Sequence, residues 1–236
     1  MKKMEEIAVK RSVICAGVGA IIIAVALIGG TMAANNAETS KAASANISVN
    51  KLSDAIDVKG TDNVFDQKKG LEVIPGGDYK ISRCVRNTGT KGDYDSYVKA
   101  VIFKSWSDAD DKYIDTSKTD MIADEAFVTV DNKKTAWNNI KEGDTLNGWL
   151  VGHVDDEQIV LYYTQPLPVG EITSPFIDGV SFSNKLDNKY TNSSYDVKFE
   201  ITSVQKFGGK DAIASAFGVM PTFDKHGIIT AVSEDW

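Results

Sequence analysis

Six short windows, 79–85, 97–103, 148–154, 158–164, 179–183 and 195–204, are rich in Val, Ile, Tyr and Phe and are bounded by Gly, Pro, Asn and Asp. β-Branched and aromatic side chains suit a pleated, half-buried surface, and the flanking turn residues end each run before it reaches helical length. Helical signals are fewer. Residues 119–127 and 132–140 each have the length of about two or three turns, and 211–217 is followed by the stop signals Gly218 and Pro221. Strands outnumber these segments without the regular strand-helix alternation of a parallel sheet. The expected fold is therefore all-β, an antiparallel, jelly-roll-like β-sandwich with a few short helices in its connections.

Local patterns refine that expectation. Trp149, Val151 and His153 share one face of a strand and Ile159, Leu161 and Tyr163 one face of the next, with Asp155-Asp156-Glu157 between them, which predicts a β-hairpin. Ile47 and Val49 alternate with polar residues, and Leu52, Ile56 and Val58 follow, which reads as one or two strands. Residues 34–46 contain no side chain larger than alanine that favours burial, so alone they are expected to be a flexible arm. The predicted organisation is a signal segment over 1–33, an arm over 34–46 and a single β-sandwich domain over 47–236.

The signal assignment rests on order. Lys10-Arg11 precedes nineteen uncharged, mostly apolar residues, Ser12 to Gly30, and Thr31-Met32-Ala33 follows at once. A positive region, an apolar region and then small residues make an export signal, with cleavage expected after Ala33. The alternative is a retained anchor, because nineteen residues also suffice to span a bilayer as a helix. In either case the protein acts outside the cytoplasm, secreted to the extracellular matrix or the cell surface, and touches membrane only through this segment.

Without residues 1–33 the chain has 203 residues, and its formal charge moves from −7 to −9. That length is enough for one core. An acidic surface of this size repels phosphate backbones, which argues against nucleic-acid binding. Cys15 lies in the apolar segment, so Cys84 is the only cysteine after it and no intramolecular disulfide is available. A lone thiol in an exported chain either pairs between molecules or, as favoured here, is a small half-buried residue.

Catalytic chemistry is sparse. His153 and His226 belong to no H-E-x-x-H motif, and Gly179-Val180-Ser181-Phe182-Ser183 breaks the G-x-S-x-G elbow at its last position. Asp108, Asp110, Asp111 and Asp115 crowd one loop and are weak calcium candidates. Lys112 at position five, Tyr113 in place of the turn glycine and Thr119 in place of the final glutamate break the EF-hand spacing, so a solvated acidic loop is expected. His153 with Asp155, Asp156 and Glu157 reads as an exposed hairpin tip. Leu167-Pro168-Val169-Gly170 lacks the threonine and apolar tail of a sortase signal. No catalytic residue and no cofactor are expected, and the chain is not read as an enzyme.

Several motifs, in order, resemble one family. Pro75-Gly76-Gly77-Asp78, Val85-Arg86-Asn87-Thr88-Gly89 and Asp95-Ser96-Tyr97-Val98-Lys99 are similar to the P-G-D turn, V-x-N-x-G strand end and Y-V-R/K strand of the TasA/camelysin family of exported biofilm matrix proteins. Leu161-Tyr162-Tyr163-Thr164-Gln165-Pro166-Leu167-Pro168-Val169-Gly170-Glu171-Ile172-Thr173 resembles its Y-Y-x-x-P-L-x-P-G-E-x-T run, and Tyr195–Gln205 with Ala212–Phe217 its closing strand and helix. The resemblance covers roughly 70–205 with gaps and implies a jelly-roll subunit, exported through a dedicated signal peptidase, that self-assembles into extracellular fibres, alone or with other matrix proteins. It also implies that the segment freed by cleavage is donated as a strand to the next subunit. Here that donor strand would draw on Ala34, Ala37, Ala42, Ile47 and Val49. The chain departs from the family in having Ala34-Asn35-Asn36-Ala37 where aromatic residues commonly follow the cleavage site. Two other readings compete with the structural one: a camelysin-like secreted metallopeptidase, and a monomeric surface adhesin binding through the loops around Trp106 and Trp137.

Overall fold

Tyr97, Val98, Ala100, Val101 and Ile102 are buried at odd and even positions alike, so the strand that carries them is covered on both faces rather than one. The computed structural model describes residues 44–51, 56–62, 71–90, 94–108, 110, 112–114, 126–130, 133–186 and 190–234. The larger of two main sheets contains β1 (Ser44–Lys51), β3 (Leu71–Glu72), β5 (Ser96–Ser107), β6 (Tyr113–Ile114), β9 (Thr145–Leu146), β10 (Trp149–Val154), β11 (Gln158–Tyr163) and β13 (Ser194–Gln205). Its order is β3-β1-β13-β5-β11-β10-β9, with β6 paired to β5. The smaller sheet, in the order β2-β4-β12-β7-β8, contains β2 (Ile56–Asp62), β4 (Asp78–Asn87), β7 (Ala126–Val130), β8 (Lys133–Ala136) and β12 (Ile177–Phe182).

The two sheets enclose one core. Tyr79, Ile81 and Val85 of β4 and Ile177, Val180 and Phe182 of β12 pack with Val98, Ala100, Ile102 and Trp106 of β5 and with Tyr195, Val197, Phe199 and Ile201 of β13. Phe182 meets Tyr79, Trp106 and Tyr195 edge to face at 5.7, 6.0 and 5.0 Å, the offset geometry that aromatic quadrupoles favour. The outer face of the larger sheet is covered too. There Tyr97, Leu150 and Tyr162 pack against Ile213 and Phe217 of α1 (Gly209–Phe217) and against the hairpin of β14 (Met220–Phe223) and β15 (Ile229–Ser233). This third layer explains why Trp149-Leu150-Val151 and Ile159 to Tyr163 are apolar runs instead of strict alternations.

The fold is all-β, as the sequence pattern requires. The six strand windows and the 211–217 helix form as expected, and Ile47 to Val58 divides into β1 and β2. Three expectations need correction. The helix expected over 132–140 does not form over 133–140: Lys133–Ala136 is a strand paired antiparallel to β7, and only Trp137–Asn139 turns as 3-10 helix, while Asn132 falls outside the described residues. Within 119–127, Ala126 and Phe127 lie in β7, paired to Phe182 and Ser181, while 119–125 fall outside the described residues. Sheet pairing overrides weak local helix propensity in both places. The arm also ends earlier, because strand β1 begins at Ser44.

A fourth correction concerns His153. β10 and β11 form the expected hairpin, but the register shifts between Val151 and His153. One extra residue at a bulge sends the following side chains to opposite faces. Val154, not His153, packs beside Trp149 and Val151. Gly152 sits at this bulge, and a Cβ there would collide with the ring of Tyr162. Gly152→Ala is expected to cost about 1–3 kcal/mol by forcing that buried ring aside; an unchanged urea midpoint would show that the ring yields freely.

Candidate functional site

The N-terminal strand is the element whose placement differs most from its surroundings. β1 runs parallel to β13, in register from Ser44 opposite Ser194 to Lys51 opposite Ile201, whereas every other pair among the described residues is antiparallel. The donor-strand candidates Ile47 and Val49 therefore pair within their own chain, opposite Val197 and Phe199. On its other side β1 meets β3 at Ser44 and Ala45 alone. Among the described residues, Asn46 to Lys51 thus leave one row of backbone N–H and C=O groups without a strand partner, which is a template for strand addition. Ala33, Ala34, Ala37 and Ala42 lie outside the described residues.

Strand directions define two ends of the sandwich. Ser44, Ser194, Asp78 and Phe182 belong to one end, to which Gly76 is fixed by its N–H donating to the Ser183 carbonyl at 3.1 Å. Asn87, Ser96 and Gln205 belong to the other. At this second end the buried Asn87 Nδ2 donates to the carbonyls of Leu167 at 3.1 Å and Tyr94 at 3.3 Å, and its Oδ1 accepts from Gly89 N at 3.0 Å. One amide thus joins the end of β4, the start of β5 and the Leu167-Pro168 loop.

Of the acidic-loop candidates, Asp108 and Asp110 are among the described residues. Asp108 spends Oδ1 on the backbone N–H groups of Asp110 and Lys112, both at 2.9 Å, and Asp110 pairs with Lys112 Nζ at 3.4 Å. Asp111 and Asp115 lie outside the described residues. No three His, Cys, Asp or Glu side chains among the described residues converge as a metal site requires. His226 stands in a turn closed by Asp224, whose Oδ1 accepts the N–H groups of His226 and Ile228. Trp106 and Trp137 are both buried in the core between the sheets rather than presented by loops. Trp137 donates its indole N–H to the Asp155 carbonyl and lies 4.5 Å beneath Lys104 Nζ.

Cys84 is half-buried and free, with Sγ donating to the Lys59 carbonyl at 3.4 Å. Burial pushes its thiol pKa up despite the nearby Arg86, Arg83 and Lys59, which disfavours the nucleophilic thiolate. No family model, curated protein or solved structure matches this chain. The residues themselves must carry any functional argument.

One polar group escaped the sequence pattern. Glu142 reaches His153 Nδ1 at 2.8 Å while Asp155 Oδ2 lies 3.3 Å from Nε2. The bulge at Gly152 turns the imidazole toward the loop before β9, a pairing no local spacing announces. Desolvation lowers the His153 pKa, but the hydrogen bonds and charges of Glu142 and Asp155 outweigh it and raise the value above 6.5. A raised folded-state pKa gives stability that is complete below about 6.5 and fades as pH rises through the folded value. The imidazole is 40% exposed, which keeps that contribution small. An NMR titration should place the His153 midpoint above 6.5, and Glu142→Gln should lower it; an unmoved midpoint in that variant would exclude the pairing.

Proposed function

We propose that this protein is an exported structural subunit that self-associates into extracellular fibres, the segment upstream of β1 in one copy adding as a strand to the sheet of the next. The observation that carries the reading is β1 itself, the first described strand, parallel to β13 and unpaired over Asn46–Lys51 on its far side among the described residues; the expected export segment and arm precede it in sequence. The order of motifs shared with the TasA/camelysin family supports the same reading. Residues 34–43 precede Ser44, and ten residues extend at most about 33–36 Å. The open edge of six residues needs only roughly 20 Å of strand. In a copy stacked against the Ser44 end, the arm would enter from the Gln205 end and run in the same direction as the β1 it meets.

Energetics limit what the arm does alone. About six added residues provide a few backbone hydrogen bonds at roughly 1 kcal/mol net each. Association costs about 4–15 kcal/mol in lost freedom. Ile47 and Val49 are engaged in the register of β1 with β13, so the shortfall must be met by another part of the subunit surface.

The test compares protein starting at Ala34 with versions starting at Ser44 and at Lys51. The Ser44 version keeps β1 and is expected to remain folded but monomeric, whereas the Lys51 version also loses thermal stability. Fibres of equal yield from the Ala34 and Ser44 proteins, seen by negative-stain microscopy, would defeat strand addition by the arm.

A further inference from the structure

The exposed large hydrophobic side chains among the described residues are Ile74, Tyr94, Ile172 and Phe207, at 56, 47, 41 and 80%. Ile74, Tyr94 and Phe207 lie outside the strands, and Ile172 bridges to Arg86 near the end of β4. Ile74 follows β3 and belongs to the Ser44 end, while Tyr94, Ile172 and Phe207 belong to the Gln205 end. Isolated exposed apolar residues need no explanation, but their confinement, among the described residues, to two opposite poles does.

Both groups are held rigidly. Tyr94 and Phe207 pack edge to face with centroids 4.8 Å apart at 76°. The chains that carry them are tied by Lys206 N–H donating to the Asp95 carbonyl at 2.8 Å and by Asn87 Nδ2 donating to the Tyr94 carbonyl. Ile172 stands next to Glu171, whose carbonyl accepts Asn87 N–H at 3.0 Å. At the other pole the Ile74 N–H donates to the buried Tyr79 hydroxyl at 3.0 Å, and its carbonyl accepts Gly77 N–H at 2.8 Å. Rigid apolar anchors lose little side-chain freedom on contact.

We propose that these poles are one interface: the Tyr94–Phe207 pair of one copy receives the Ile74 pole of a second copy of this chain. The proposal rests on the self-association reading above and supplies the surface that the arm lacks. A second copy is the fitting occupant for three reasons. The chain upstream of Ser44 leaves from the Ile74 pole, so a neighbour seated there is the one it reaches. Copies that each carry a formal charge of −9 without residues 1–33 repel one another, which favours contact through uncharged residues. Unlike poles make a heterologous contact that continues from copy to copy, as a fibre requires, whereas like poles would close a dimer. So few side chains bury less than a stable interface needs. Coupled to the arm, each contact raises the effective concentration of the other.

The experiment uses the protein starting at Ala34 and follows assembly by sedimentation and negative-stain microscopy. Tyr94→Ser with Phe207→Ser alters exposed side chains only and is expected to raise the subunit concentration at which fibres appear by about tenfold or more. In a Cys84→Ala background, mixed Ile74→Cys and Phe207→Cys proteins should form the 74–207 disulfide under mild oxidation. If the parent forms fibres, and the double variant assembles equally well with no 74–207 disulfide, the pole contact is overturned while self-association stands. A dominant 207–207 disulfide would also overturn it, in favour of a closed dimer. A parent that stays monomeric at every concentration would overturn self-association, and this proposal with it.

Discussion

The ladder between β5 and β13 is the interaction on which the rest of the molecule depends. Twelve residues of each strand pair without a break, from Ser194 opposite Ser107 to Gln205 opposite Ser96. Inward side chains of both strands fill the core against the smaller sheet, and Tyr97 on the reverse of β5 anchors the third layer through its ring and its hydroxyl, which donates to the Gly227 carbonyl at 2.9 Å. β11 pairs with the other side of β5, and β1 with the other side of β13. The length and direction of this one ladder set the two ends of the sandwich and the direction of the N-terminal strand.

Much of this was legible because the chemistry is local. Windows of Val, Ile, Tyr and Phe cut by Gly, Pro, Asn and Asp became strands close to their expected bounds, and the Asp155-Asp156-Glu157 turn joins β10 to β11. One local signal was there to be used: Asn147-Gly148, both at positive φ, makes the two-residue turn that pairs Leu146 with Trp149. The 132–140 segment was misjudged because its partner strand lies in space rather than in its own spacing. Simple alternation puts His153 on the same face as Trp149 and Val151, and the bulge at Gly152 turns it to the other.

The candidate site divides in the same way. Alternation at Ile47 and Val49 marked a strand, but its parallel pairing with Val197 and Phe199 joins segments about 150 residues apart. Glu142 of the loop before β9 beside His153 of β10, and Tyr94 beside Phe207, are likewise contacts between segments that only the fold brings together. Exposure of Phe207 has no sequence signature, since an apolar residue after a strand reads equally well as core.

By itself the sequence determined the all-β class, the placement of most strands, the single cysteine after the apolar segment and the acidic balance, because each follows from side-chain type and short-range period. Tertiary structure alone decided that β1 lies parallel to β13 with one edge open among the described residues, that the larger sheet is covered on both faces, and that the exposed large apolar side chains among the described residues lie at opposite ends. Those features depend on which distant strands share a ladder and in which direction they run, and local periodicity carries no record of either.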